Sequence, residues 1–286
     1  MSRRKADAGW SRSLPDGGAR TGLKPRRQAA RDKSRPRPRD HGHETPLLLY
    51  GWHTVVAALE NPSRRITRLL VTENALRRLA ADGVPLPVEP ELVRPDAIAN
   101  RLGPDAVHQG LLAEAEPLPE RDLEDVPAEG IVLVLDHITD PHNAGAILRS
   151  AAAFAVRAVI TTARHSAAAT GVLAKSASGA AEHVPIITVQ NLARGLETLK
   201  QRGFFVVGLD SEGTDDLSII PLRLPLAIVL GAEGKGLRQL TRTTCDAVAR
   251  LDLPGAIKSL NVSNAAVLAL YVAATRTGTA QPPARG

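Results

Sequence analysis

A chain of 286 residues that is 43% hydrophobic has room for two ordinary domains, but only seven of its residues are aromatic, so its core must rest on Val, Leu, Ile and Ala. The single cysteine, Cys245, excludes a disulfide framework and a cysteine-based metal site. No apolar run approaches the ~20 residues of a membrane span, and no apolar stretch follows the charged N-terminus, so a cytoplasmic protein without a membrane partner is expected. The net charge of +6 is uneven, because residues 1–45 carry 13 basic and 5 acidic side chains and the remainder 23 and 25.

Residues 1–45 lack apolar periodicity and contain Arg35-Pro36-Arg37-Pro38-Arg39, which predicts a disordered basic tail. Such a tail either attracts polyanions by counterion release or merely solubilises the chain. Order is expected from Pro46. Tyr50–Leu59, opened by Gly51, reads as a helix, Ile66–Thr72 as a strand and Ala75–Ala81 as a helix. A short strand at Val84–Val88, a helix at Asp96–Leu102 and a strand at Leu111–Ala115 complete a small α/β domain over 46–115. Residues 116–129, rich in proline and acid, read as a linker.

The second domain, 130–278, opens with five successive aliphatics, Ile131–Leu135, as a strand buried on both faces requires. Further strands are predicted at Ala158–Thr161, Val184–Val189, Phe204–Leu209, Ala227–Leu230 and Val248–Leu253. Helices alternate with them at Ala144–Phe154, Gly171–Ala180, Leu192–Gln201, Gly236–Thr243 and Ala265–Thr275, before a disordered C-terminus at 279–286. The fold class is therefore α/β: an open, mostly parallel sheet with helices on both faces, whose ligands bind at the carboxyl ends of the strands.

Three strand-to-loop corners in this domain carry chemistry. The first, Asp136–Ser150, holds Asn143 on its loop and Arg149 two turns into the next helix. Arg149 is either a clamp on a hydroxyl or a phosphate, the easier role for a group that offers only donors, or the base that takes a hydroxyl's proton. His137 and His142 read as polar loop residues, since no third ligand supports a metal. In the second corner, Leu230–Leu237, Gly231 admits close backbone approach, and Gly234 and Gly236 permit positive φ. Its spacing fits neither a P-loop nor a dinucleotide fingerprint. Glu233 there is either a ligand-side group or an acid offsetting a helix dipole. The third corner supplies Ser259 and Asn261, with Ser263 expected to cap the final helix.

In order and spacing, Asp136–Ser150, Ile228–Leu237 and Ser259–Ser263 resemble the three signature motifs of the SpoU branch of the SPOUT superfamily, the RNA 2'-O-ribose methyltransferases. The resemblance implies S-adenosyl-L-methionine as methyl donor, no metal, a trefoil knot and a homodimer. It also implies catalytic roles for Asn143, Arg149, Glu233, Ser259 and Asn261, and cofactor binding around Leu230, Gly231, Leu251 and Leu260. Gly51–Val55 and Ala106–Gly110 resemble the L30e-like substrate-binding domain of bacterial 23S rRNA (guanosine-2'-O-)-methyltransferases. His53 and His108 there either touch RNA or pack within their loops. The activity implied is 2'-O-methylation of a guanosine in 23S rRNA. The alternatives are a tRNA or resistance-type rRNA 2'-O-methyltransferase and, from another class, a non-catalytic RNA-binding assembly factor.

Overall fold

The structure, a computed structural model, describes residues 46–103, 105–162, 177 and 179–279. The tail at 1–45, residues 280–286 and nearly all of the helix expected at Gly171–Ala180 lie outside the described residues. The described residues form one compact unit built on two sheets.

The first sheet is four-stranded and mixed. Strands β1 (Leu47–Tyr50), β2 (Ile66–Val71), β3 (Pro90–Leu92) and β4 (Leu111–Ala115) run in the order β1-β4-β2-β3. β4 is antiparallel to both neighbours, and β3 is parallel to β2. Helices α1 (Trp52–Glu60) and α2 (Glu73–Ala81) cover one face through Trp52, Val55, Ala75 and Leu79, and α3 (Pro95–Leu102) covers the other through Ile98. The strand expected at Val84–Val88 does not form. Pro85 and Pro87 have no ladder donors, and Gly83 at φ +67 closes α2 with Val84 N–H on Leu79 O. The pairing falls to β3 instead, with Pro90 tolerated as the first residue of an edge strand.

The segment 116–129 is held rather than free. Leu123 and Val126 are buried around a 3₁₀ turn at Leu123–Asp125, and the Arg202 guanidinium donates to both of their carbonyls.

The second sheet has seven strands, all parallel: β5 (Ile131–Asp136), β6 (Val159–Thr162), β7 (Ile186–Val189), β8 (Phe205–Leu209), β9 (Asp215–Asp216), β10 (Leu226–Gly231) and β11 (Ala247–Arg250). Their order is β7-β6-β5-β10-β8-β11-β9. Alternate residues of β5 and β10 serve opposite cores. Leu133, Leu135, Ile228 and Leu230 pack under α4 (Pro141–Ala153) and α7 (Val262–Thr277). Val132, Val134, Ala227 and Val229 pack under α5 (Leu192–Gln201). Register aligns Leu230 with Leu135 and Leu209, so β5, β8 and β10 end on one line. Their loops emerge from that single edge, at the point where the chain order reverses, which is where open parallel sheets bind ligands.

Candidate active site

Helix boundaries at that edge differ from the sequence expectations in ways that build the site. α4 starts at Pro141 with Asp140 as its cap, its carboxylate accepting from His142 N at 2.9 Å, so Asn143 lies in the first helical turn and not on the loop. The last helix starts at Val262, and Asn261, not Ser263, is its cap. The Asn261 Oδ1 accepts from Ser263 N at 2.9 Å and from Ser263 Oγ at 2.6 Å. The helix expected at Gly236–Thr243 is confined to α6 (Gln239–Thr244), because residues 232–236 close on themselves first. There Gly236 N–H reaches Ala232 O at 2.9 Å, with Gly236 at φ +61. β11 likewise stops at Arg250, which releases Leu251 and Leu253 from the sheet toward the ligand edge.

Three of the expected residues meet. Glu233 Oε1 accepts from Asn261 Nδ2 at 2.6 Å, Asn143 Nδ2 at 3.1 Å and Val262 N at 3.2 Å. Asn261 Nδ2 also donates to Asn143 Oδ1 at 3.0 Å. One carboxylate oxygen thus ties together side chains from all three corners. Because an ionised carboxylate only accepts, it fixes both amides with their Nδ2 groups toward it. Arg149 is not part of this cluster. It is exposed, and its guanidinium makes no hydrogen bond or ion pair among the described residues.

The loop carrying Glu233 is anchored from both flanks by two carboxylates absent from the sequence expectations. Asp136, fully buried, accepts from Arg238 N at 3.1 Å and from Arg238 Nε at 2.6 Å. Asp210, also buried, accepts from Leu237 N at 3.1 Å and Glu212 N at 3.0 Å. The signal was present: both Ile131–Asp136 and Phe205–Asp210 are aliphatic runs that end in Leu-Asp. An acid that closes a buried strand must find donors at the strand's end. Gly231 between them has no space for a side chain, since a Cβ there would collide with the Gly236 carbonyl group and lie 2.6 Å from Leu237 N.

The anchored loop is a wall between two clefts. The first, about 520 Å³, is lined at the ends of β8, β10 and β11 and includes Leu230, Gly231, Leu251, Ser259 and Leu260. A volume of that order suits a nucleoside-sized ligand. The second, about 600 Å³, is lined by Asp136, His137, Asn143, Lys235 and Arg238. Ala232, Glu233, Lys235, Gly236 and Val262 border both. Among the described residues, no group of three metal-ligating side chains gathers at His137 and His142 or elsewhere. Cys245 stands apart behind β8, where burial pushes its thiol up to about 12.

In the N-terminal sheet, the two quoted segments pack together. Gln109, at φ +52, accepts Trp52 N–H at 2.8 Å on its Oε1, and the His108 Nδ1 accepts from Gly110 N at 3.0 Å, while His53 is exposed.

Residues 130–271 match the SpoU rRNA Methylase family, and residues 48–121 match the family described as RNA 2'-O ribose methyltransferase substrate binding. The chain is 42% identical over 237 residues to the 23S rRNA (guanosine-2'-O-)-methyltransferase RlmB of Pseudomonas aeruginosa, covering 78% of this chain and 94% of that protein. It is 40% identical over 240 residues to its counterpart in Ralstonia nicotianae, covering 79% and 94%. The crystal structure of the SpoU methyltransferase AviRb from Streptomyces viridochromogenes in complex with AdoMet superposes with a TM-score of 0.68 at 25% identity, over 80% of this chain and 89% of that one.

Proposed function

The chain belongs to the SpoU family of RNA methylases, and on that premise we propose that it methylates the 2'-hydroxyl of a guanosine ribose in 23S rRNA, using S-adenosylmethionine. The observation that carries the reading is the meeting of Asn143, Glu233 and Asn261 on the wall between two clefts.

The first cleft fits the methyl donor. Gly231 lets the 232–236 loop close against the end of β10, Leu230, Leu251 and Leu260 supply apolar walls, and Ser259 joins the lining. S-Adenosylmethionine, when bound, supplies a methyl group already activated for transfer, so the protein's work is alignment. Asn143, Glu233 and Asn261 hold the two clefts in fixed relation. Arg149, an exposed cation without a protein partner among the described residues, is assigned to clamp the ribose hydroxyl and its phosphate. No role is assigned to a metal ion.

The N-terminal sheet would capture rRNA, with the basic tail adding sequence-independent attraction, and the protein would act in the cytoplasm. A homodimer is part of the same proposal. It is supported by α7, which leaves Val267, Leu268 and Tyr271 exposed on the side away from its core. Trefoil threading belongs to the same proposal and rests on the family alone.

The test incubates the full chain with labelled S-adenosylmethionine and unmodified 23S rRNA, 16S rRNA or tRNA, then maps the methylated ribose. A single 2'-O-methylguanosine in 23S rRNA is expected. Label confined to tRNA would overturn the target, and no transfer to any RNA would overturn the enzyme reading.

A further inference from the structure

A buried ion pair joins the two sheets. The Arg64 and Glu182 side chains, 118 residues apart, are 4% and 3% exposed. Arg64 Nη2 donates to Glu182 Oε1 at 2.7 Å, and Nε lies 3.1 Å from Oε2. The remaining arm, Nη1, donates at 2.7 Å to the carbonyl of Glu116, where the connecting segment leaves β4. Asn61 completes the cluster by donating from Nδ2 to Glu182 Oε2 at 2.8 Å. One guanidinium therefore holds the turn after α1, the start of the connection and the 3₁₀ turn at Ala180–Glu182 of the second domain.

Beside it the backbones touch. Gly179, at φ +84, faces α1 so closely that a Cβ would lie 2.6 Å from Ala57 Cβ and 2.8 Å from His53 O. The far end of the connection is also pinned, by Arg202 on Leu123 and Val126. A loose tether would need none of this.

An apolar seam would hold two domains together at least as well, because desolvating two charges offsets much of their attraction. What a guanidinium fork adds is direction, since it donates to both oxygens of a carboxylate only in one plane. We propose that Asn61, Arg64 and Glu182 are positioning residues of the methyl-transfer reaction. The latch holds the N-terminal sheet in the one orientation that delivers captured RNA to the cleft bordered by Asn143 and Glu233. This rests on the assignment of RNA capture to the first sheet and methyl transfer to the second. With the latch open, the two RNA contacts lose part of their mutual effective concentration.

The test uses the full chain with Glu182→Gln, with Arg64→Lys (which keeps the charge and loses the fork), and with Ala57→Val as a wedge from the opposite side of the seam. Small-angle scattering reports orientation, steady-state kinetics report KM and kcat for 23S rRNA, and calorimetry reports S-adenosylmethionine affinity. Each variant is expected to give a larger radius of gyration and a KM for RNA raised about tenfold or more, with kcat and cofactor affinity unchanged. Unchanged scattering in all three variants would overturn the latch. Expanded scattering with unchanged KM would overturn its part in the reaction, and so would cofactor affinity falling together with the melting temperature, the mark of a purely stabilising pair. If the wild-type chain methylates no RNA, the functional reading fails by itself. Scattering and directly measured rRNA affinity then judge the latch without it, and unchanged rRNA affinity in the expanded variants would overturn it.

Discussion

The two sheets of this protein spend their polar side chains differently. On the mixed N-terminal sheet they form partly exposed ion pairs between neighbouring strands: Arg68 bridges Glu91 at 2.6 Å and lies 3.6 Å from Glu114. The hydrogen bond from Arg68 holds the Glu91 carboxyl below its ordinary range. At the centre of the all-parallel sheet β5, β8 and β10 are apolar up to their ends, and polar groups collect at one edge, in Asp136, Asp210, Glu233 and Asn143. Strand direction explains the contrast. Antiparallel neighbours send the loops at their carboxyl ends to opposite edges, whereas parallel strands in register send all of these loops to one edge and concentrate them into a site. An edge of the second kind suits chemistry.

That division can be broken by substitution. The largest effect is expected at the edge. Glu233→Ala removes the oxygen shared by Asn143, Asn261 and Val262, and the rate of methyl transfer should fall by about 10²–10³-fold with the melting temperature nearly unchanged. A rate within a few-fold of wild type would show that the cluster is structural trim. Next, Gly231→Ala forces a methyl against the Gly236 backbone. At an overpacking cost of about 1–3 kcal/mol, S-adenosylmethionine affinity should drop roughly 5- to 150-fold by calorimetry. Undiminished affinity would place the cofactor elsewhere. Smaller in its reach on function is Leu69→Ala in the core of the N-terminal sheet, expected to cost about 2–5 kcal/mol of stability. If the sheets unfold as one body, a single calorimetric transition moves; two separated transitions would make the domains independent.

The same contrast governs what could be read in the sequence. β5 and β10 were legible because burial on both faces demands unbroken aliphatic runs, and the three corners because Gly, Asn and Glu recur where such runs stop. β1 was missed because Leu47–Tyr50 finds its partner in β4, some 60 residues on, and one buried leucine among three half-buried residues shows no period of its own. The Val84–Val88 strand was a misreading of β-branched content over proline placement. At the site, Asn143 and Asn261 were named from their motifs, yet their joint attachment to one Glu233 oxygen depends on register, which no local pattern encodes. The isolation of Arg149 from that cluster was equally invisible: spacing placed it on α4 but not relative to the other corners.

The three donors on Glu233 Oε1 come from chain positions up to 119 residues apart, and the last two belong to the start of α7. During synthesis the first two corners are made before the third exists. Until α7 emerges and docks, Glu233 lacks two of those donors and Asn143 lacks its amide neighbour. A nascent chain ending before residue 261 therefore has most of the sheet and none of the completed cluster, so activity should switch on with the final helix rather than grow with length.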